Sequence, residues 1–174
     1  MKSSRNFALS HILMSALAVM MGLTLLPAGN SSGCTDNRSS IPLAGFYSST
    51  TLQAISIDSV AIRGLDAPVD TVYLLAPGTT ASEVYLPLRA AFSSTTFEIQ
   101  YLQSNLRGLS DYVDLTYTAS PYFASEECGA MYRYRITSLS HSSLLLDSVA
   151  VIPADSVITN SPVQNLRFYF RTSL

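Results

Sequence analysis

The segment "LRFYFRTS" (166–173) alternates Leu166, Phe168 and Phe170 with Arg167, Tyr169 and Arg171. A two-residue period puts one set on a buried face and the other in water, which is the pattern of a half-buried strand. The period recurs along the chain. "TTFEIQYLQ" (95–103) sets Phe97, Ile99 and Tyr101 against Glu98 and Gln100. "YVDLTYTA" (112–119) alternates Val113, Leu115 and Tyr117, and "MYRYRITS" (131–138) sets Tyr132, Tyr134 and Ile136 against Arg133 and Arg135. "AISIDSVAIRG" (54–64) places Ile55 and Ile57 on one face. "IPLAGFYS" (41–48), "TVYLLA" (71–76), "EVYLPL" (83–88) and the more continuously apolar "LLLDSVAVI" (144–152) bring the total to about nine candidate strands. Pro87 has no N–H for a ladder, so "EVYLPL" is an edge strand or ends there. The runs are separated by "GLDAPVD", "APGTTAS", "SNLRGLS" and "TNSPVQN", rich in turn-forming residues. These short strands predict an all-β fold, a single antiparallel β-sandwich of immunoglobulin-like or jelly-roll-like type. An open barrel has the same periodicity.

The first 33 residues follow a different rule. Lys2 and Arg5 precede "ILMSALAVMMGLTLL" (12–26), an apolar run broken only by Ser15 and Thr24. A spanning helix needs about 20 apolar residues, so this shorter run fits a cleavable export signal. Pro27, Ala28 and Gly29 open a small-residue cleavage region. The expected organisation is a signal peptide of lipoprotein type over 1–33, a polar tether over 34–40 and the sandwich over 41–174.

Removing the leader changes the charge picture. The chain's one lysine, Lys2, goes with it, leaving eight arginines against all twelve acids. A lysine-free, mildly acidic domain lacks the basic contacts that supply affinity for nucleic acid, so no nucleic-acid partner is expected. The tripeptide "DSV" occurs at 58–60, 147–149 and 155–157, extended to "DSVAI" and "DSVAV" in the first two. The surrounding residues do not align, so the repetition reads as composition rather than duplicated architecture.

Candidate chemistry is sparse. His141, in "LSHSS", is the one histidine left after the leader, and a hydrolytic mechanism also needs an orienting acid and an oxyanion site. Cys128 follows Glu126 and Glu127, and nearby carboxylates disfavour the thiolate a nucleophile needs. The Cys and His are too few for zinc. The densest acidic pairs, Asp66 with Asp70 and Asp111 with Asp114, do not match a calcium-loop spacing. The sequence therefore points to a non-enzymatic protein with no cofactor and no metal. If the strands carrying Arg133 and Arg135 and those carrying Arg167, Tyr169 and Arg171 were neighbours, they would form a basic, aromatic patch. Such a patch suits an acidic glycan or a protein partner, although outward charge also serves plain edge protection.

The two cysteines, Cys34 and Cys128, admit two exclusive readings. An exported chain with two cysteines first suggests one disulfide. Against this, "SSGC" (31–34) resembles a lipobox, with Gly33 before the cysteine and Ser31 where Leu is preferred. Lipid on Cys34 would tie the protein to a membrane through its acyl chains and consume the sulfur.

Taken together, "CTDN…IPLAGFY", "ISIDSV", "PYFASEECGAMY", "LLLDSV", "VITN" and "LRFYF" resemble a family of small lipoproteins of unknown function from Bacteroidota, over most of residues 34–170. The resemblance implies export and lipid anchoring at Cys34, in the cell envelope, and supplies no activity. It also implies that a second cysteine soon after the lipidated one can partner the "CG" cysteine, and this chain lacks that extra cysteine. The function expected is a lipid-anchored envelope protein that binds or scaffolds. The alternatives are a surface-fibre subunit, trimmed after Arg38 and assembled by strand addition, and a glycan hydrolase with paired carboxylates.

Overall fold

The computed structural model describes residues 40–65, 73–126, 128–159 and 163–171, all within one compact unit. The leader and Cys34 lie outside them, as do Asp66, Asp70 and Glu127. Ten strands form two packed sheets, and the described residues contain no helix. In chain order they are β1 (Leu43–Ser48), β2 (Ile57–Gly64), β3 (Tyr73–Ala81), β4 (Glu83–Tyr85), β5 (Ser94–Tyr101), β6 (Leu109–Ser125), β7 (Gly129–His141), β8 (Leu146–Val151), β9 (Val157–Ile158) and β10 (Gln164–Phe170). The smaller sheet runs β4-β1-β10-β8 and the larger β3-β2-β5-β6-β7-β9. The expected β-sandwich is what the chain forms. One pairing departs from an antiparallel plan: β1 and β10 run parallel, with Phe46 beside Phe168 and Ser48 beside Phe170.

Alternation decides the core. Phe46, Phe168, Phe97, Ile99, Leu115 and Tyr117 are all essentially inaccessible. Burying such a side chain fully contributes about 1.5–3 kcal/mol. Phe46 stacks on Phe168 at 6.2 Å and meets Phe170 edge-on at 5.3 Å, which seals the seam between the first and last strands. Tyr117 and Tyr134 meet edge-on at 5.4 Å. Their hydroxyls donate to the carbonyls of Arg89 and Leu88 at 3.2 Å, tying the loop after β4 to the larger sheet. β4 is an edge strand and ends before Pro87, as the missing donor requires.

Two expected boundaries moved. "APGTTAS" reads as a turn, yet most of it continues β3, with Gly78 at φ 82. β6 and β7 are longer than their alternation indicated, and they continue together as a two-stranded arm. The last β5 rung is Ser94–Thr116 and β9 covers only Tyr134 and Arg135, so the rungs from Ser120–Arg133 to Ser125–Gly129 have no third strand. Tyr132, expected on the buried side, lies on this arm and is 44% exposed, while its neighbour Met131 is buried.

The "DSV" repetition has a conformational meaning that composition does not explain. Ser59 and Ser156 both adopt left-handed backbone, φ 52 and 56. Each offers its carbonyl to the next strand, Ser59 to the N–H of Leu102 at 2.8 Å and Ser156 to that of Ile136 at 2.9 Å. Both triplets therefore make the same strand-opening bend, whereas Ser148 lies within β8 without a left-handed backbone. A left-handed L-residue costs about 1–2 kcal/mol, which glycine avoids. Ser59→Val and Ser156→Val are each expected to destabilise by about 1 kcal/mol or more, because a β-branched side chain tolerates left-handed backbone worse than serine does. The glycine variants should be neutral or slightly stabilising, and Ser148→Val should fall within about 0.5 kcal/mol of the parent. Denaturant midpoints check this, and equal tolerance at all three serines would contradict it.

Candidate functional site

The two sheets part at one end into a cleft of about 480 Å³. Three stretches build it. The start of β2 and the residue pair before it supply Ile55, Ile57 and Asp58; the turn after β5 supplies Gln103, Asn105 and Leu106; Leu145 with Phe170 and Arg171 closes the far wall. The floor is aliphatic and the rim carries one acid, one base and two amides.

The far wall is held by a buried carboxylate. Counting back by twos from Tyr117, Leu115 and Val113 puts Asp111 on the apolar face, where it is fully buried. Its Oδ1 accepts from the Ser142 hydroxyl at 2.6 Å and the Leu144 N–H at 2.7 Å. Its Oδ2 accepts from Tyr101 Oη and from the N–H groups of Leu145 and Leu146, each at 2.8 Å. Burial pushes the carboxyl upward, but the bonds from Ser142, Leu146, Leu144 and Tyr101 outweigh it and hold the group below the usual range. Burial, and then Asp111 itself, push the Tyr101 hydroxyl far up. This knot fixes where the chain leaves β7 and crosses to β8.

Arg171 locks the same crossing from outside. Its Nη1 donates to the carbonyls of Ser143 at 2.5 Å and Leu144 at 3.0 Å, and its Nη2 pairs with Asp147 at 2.8 Å. Across the cleft, Asp58 Oδ1 accepts from Thr80 Oγ1 at 2.5 Å, which with the Ser59 bonds holds its carboxyl below the usual range. Gln103 Nε2 donates to the Asp58 carbonyl at 3.1 Å.

The residues the sequence singled out are dispersed. Arg133 and Arg135 lie on β7 in the larger sheet, while Arg167 and Tyr169 lie on β10 in the smaller one and Arg171 follows its last residue. The strands do not pair, so the basic patch conditional on their pairing does not form. Arg133 lies 4.4 Å over the Tyr122 ring, and Arg135 donates to the Asp155 carbonyl at 2.6 Å. Arg167 sits 5.0 Å over Tyr47, whose ring is 5.7 Å from Tyr169. Asp111 and Asp114 are three apart in a strand and so face opposite ways; Asp114 accepts from Thr96 and Ser140 on the outer face. His141 Nδ1 contacts the carbonyl of Ser142 at 2.6 Å, while the Ser142 hydroxyl donates to Asp111. That is not a base beside a nucleophile.

Glu98 was expected in water and is buried. Arg63 and Tyr112 flank it on the neighbouring strands. Arg63 Nε lies 2.6 Å from its Oε2, and Ser110 Oγ donates to Oε1 at 2.9 Å. Burial raises its carboxyl, and Arg63 and Ser110 more than reverse that. Cys128 lies at the turn of the arm, its N–H on Ser125 Oγ at 3.1 Å, and it is disulfide-bonded. No described cysteine is free. The sequence has one other cysteine, Cys34.

Fold and cleft define a two-sheet β-sandwich with a polar-rimmed opening at one end. The chain belongs to the DUF6452 family, a family of unknown function, which it matches over residues 49–170. No curated protein matches the chain, and no solved structure does.

Proposed function

We propose that the protein is exported and works in the cell envelope as a non-enzymatic binding or structural module. Cys34, the other cysteine of the sequence, is the partner of Cys128 in this reading. The disulfide at Cys128 carries this reading. Thiols in a reducing cytosol stay reduced, so a structural disulfide belongs to an oxidising compartment, and the leader at residues 1–33 supplies the route. One sulfur makes one such bond, so the staple and a lipid on Cys34 compete. The lipid-anchored reading keeps one specific support, the placement of "SSGC" just behind the leader.

Fractionated cells treated with a thiol-reactive polyethylene glycol before and after reduction test the proposal. The protein is expected in the envelope fraction, unlabelled until reduced and then labelled twice. A cytosolic protein labelled without reduction would overturn it.

A further inference from the structure

The cleft combines features that the fold alone does not require. Its floor, chiefly Ile57, Leu106 and Leu145, is aliphatic. Opposite charges, Asp58 and Arg171, stand on its rim. Arg171 is pre-set rather than used up. A guanidinium has five N–H donors, and the bonds to Ser143, Leu144 and Asp147 take three. Among the described residues nothing takes the Nε–H or the second Nη2–H, which leaves these two for an anion. Asn105 and Gln103 also line the cleft, the Gln103 amide nitrogen already donating to the Asp58 carbonyl. Phe170, the one aromatic in the lining, is 2% exposed and has no face on which a sugar ring could stack.

We propose that this cleft binds a short peptide bearing an aliphatic side chain at its C-terminal residue. The side chain rests on the floor, the α-carboxylate takes the two remaining donors of Arg171, and the peptide's N–H groups or ammonium face Asp58. A ligand with charges of both signs around an apolar body satisfies both rim charges at once, which neither a polyanion nor a neutral lipid does. Capture of a peptide carboxylate by fixed N–H donors is an established mode of peptide recognition, and a charge-assisted, forked contact from arginine gives it direction. This inference rests on reading the domain as a binding module.

Amide NMR titration of the disulfide-intact protein tests it, with Ala-Ala-Leu, its C-terminal amide, Ala-Ala-Ala and maltotriose as probes. Ala-Ala-Leu should shift the signals of Gln103, Asn105, Leu106 and Leu145. Amidation of its carboxylate should weaken binding at least tenfold, and loss of the leucine side chain should weaken it severalfold. Arg171→Gln also removes the clamp on Ser143 and Leu144, so the amidated peptide, which leaves the protein unaltered, is the decisive arm; Asn105→Ala provides a second, surface variant expected to weaken Ala-Ala-Leu. No shift with Ala-Ala-Leu, or equal binding of acid and amide, would overturn the proposal. Shifts with maltotriose alone would overturn the peptide assignment while leaving the binding-module reading in place.

Discussion

Asp111→Asn is expected to destabilise the protein by several kcal/mol, since each buried donor left without its acceptor costs about 1–3 kcal/mol. Five donors converge on the carboxylate, two on Oδ1 and three on Oδ2. An asparagine keeps one acceptor oxygen. Its NH₂ must then face the fixed N–H of Leu144 or those of Leu145 and Leu146, while the Ser142 or Tyr101 hydroxyl on that side can turn to accept from it. Asparagine is therefore costly here although it is close in shape to aspartate, and alanine, which keeps no acceptor at all, should be at least as costly. Asp114→Asn, on the exposed face of the same strand, should cost no more than about 1 kcal/mol. Equilibrium unfolding in denaturant measures all three. A cost below about 1 kcal/mol for Asp111→Asn would show that the crossing into β8 is held by something else.

The same carboxylate sets an acid limit. A group held below its unfolded value of 3.8 stabilises the fold fully above that value. That contribution is lost as pH falls through the folded-state value. Glu98 is lowered from 4.5 and acts in the same direction. Stability should therefore be level near neutrality and decline as pH drops below about 5. Asp111→Ala should flatten the decline, and an unchanged profile would contradict the assignment.

The second large effect belongs to the staple. A disulfide closing a loop of about 90 residues stabilises by at most about 4–5 kcal/mol through chain entropy. Cys128→Ser should cost a few kcal/mol, and Cys34→Ser the same amount. The double variant should be no worse than either single one, because both remove one bond. If Cys34→Ser is silent while Cys128→Ser is costly, the two sulfurs are not partners.

Much of the sandwich was legible in the sequence because alternation marks faces without knowledge of pairing. Phe97, Ile99, Tyr101, Leu166, Phe168 and Phe170 are buried as their spacing requires. Asp111 was legible too, since it shares the parity of Val113 and Leu115, but an acid on an apolar face is easily read with its neighbour Asp114 as a solvated pair. Glu98 was not legible. Its burial comes from Arg63 and Tyr112 on flanking strands, a rung that exists only once β2, β5 and β6 are paired. The same ignorance of pairing left β7 and β10 as hypothetical neighbours, when they belong to different sheets. β9, two residues long, was missed because so short a strand has no period to detect. The cleft could not be read at all, since its walls come from segments far apart in the chain.

The proposed staple and export are tested most directly by the intact mass of the mature protein, recorded before and after reduction. An unacylated chain beginning upstream of Cys34 is expected, gaining two hydrogens on reduction, one for each sulfur. A chain beginning at Cys34 with the added mass of acyl chains, and unchanged by reduction, would contradict it.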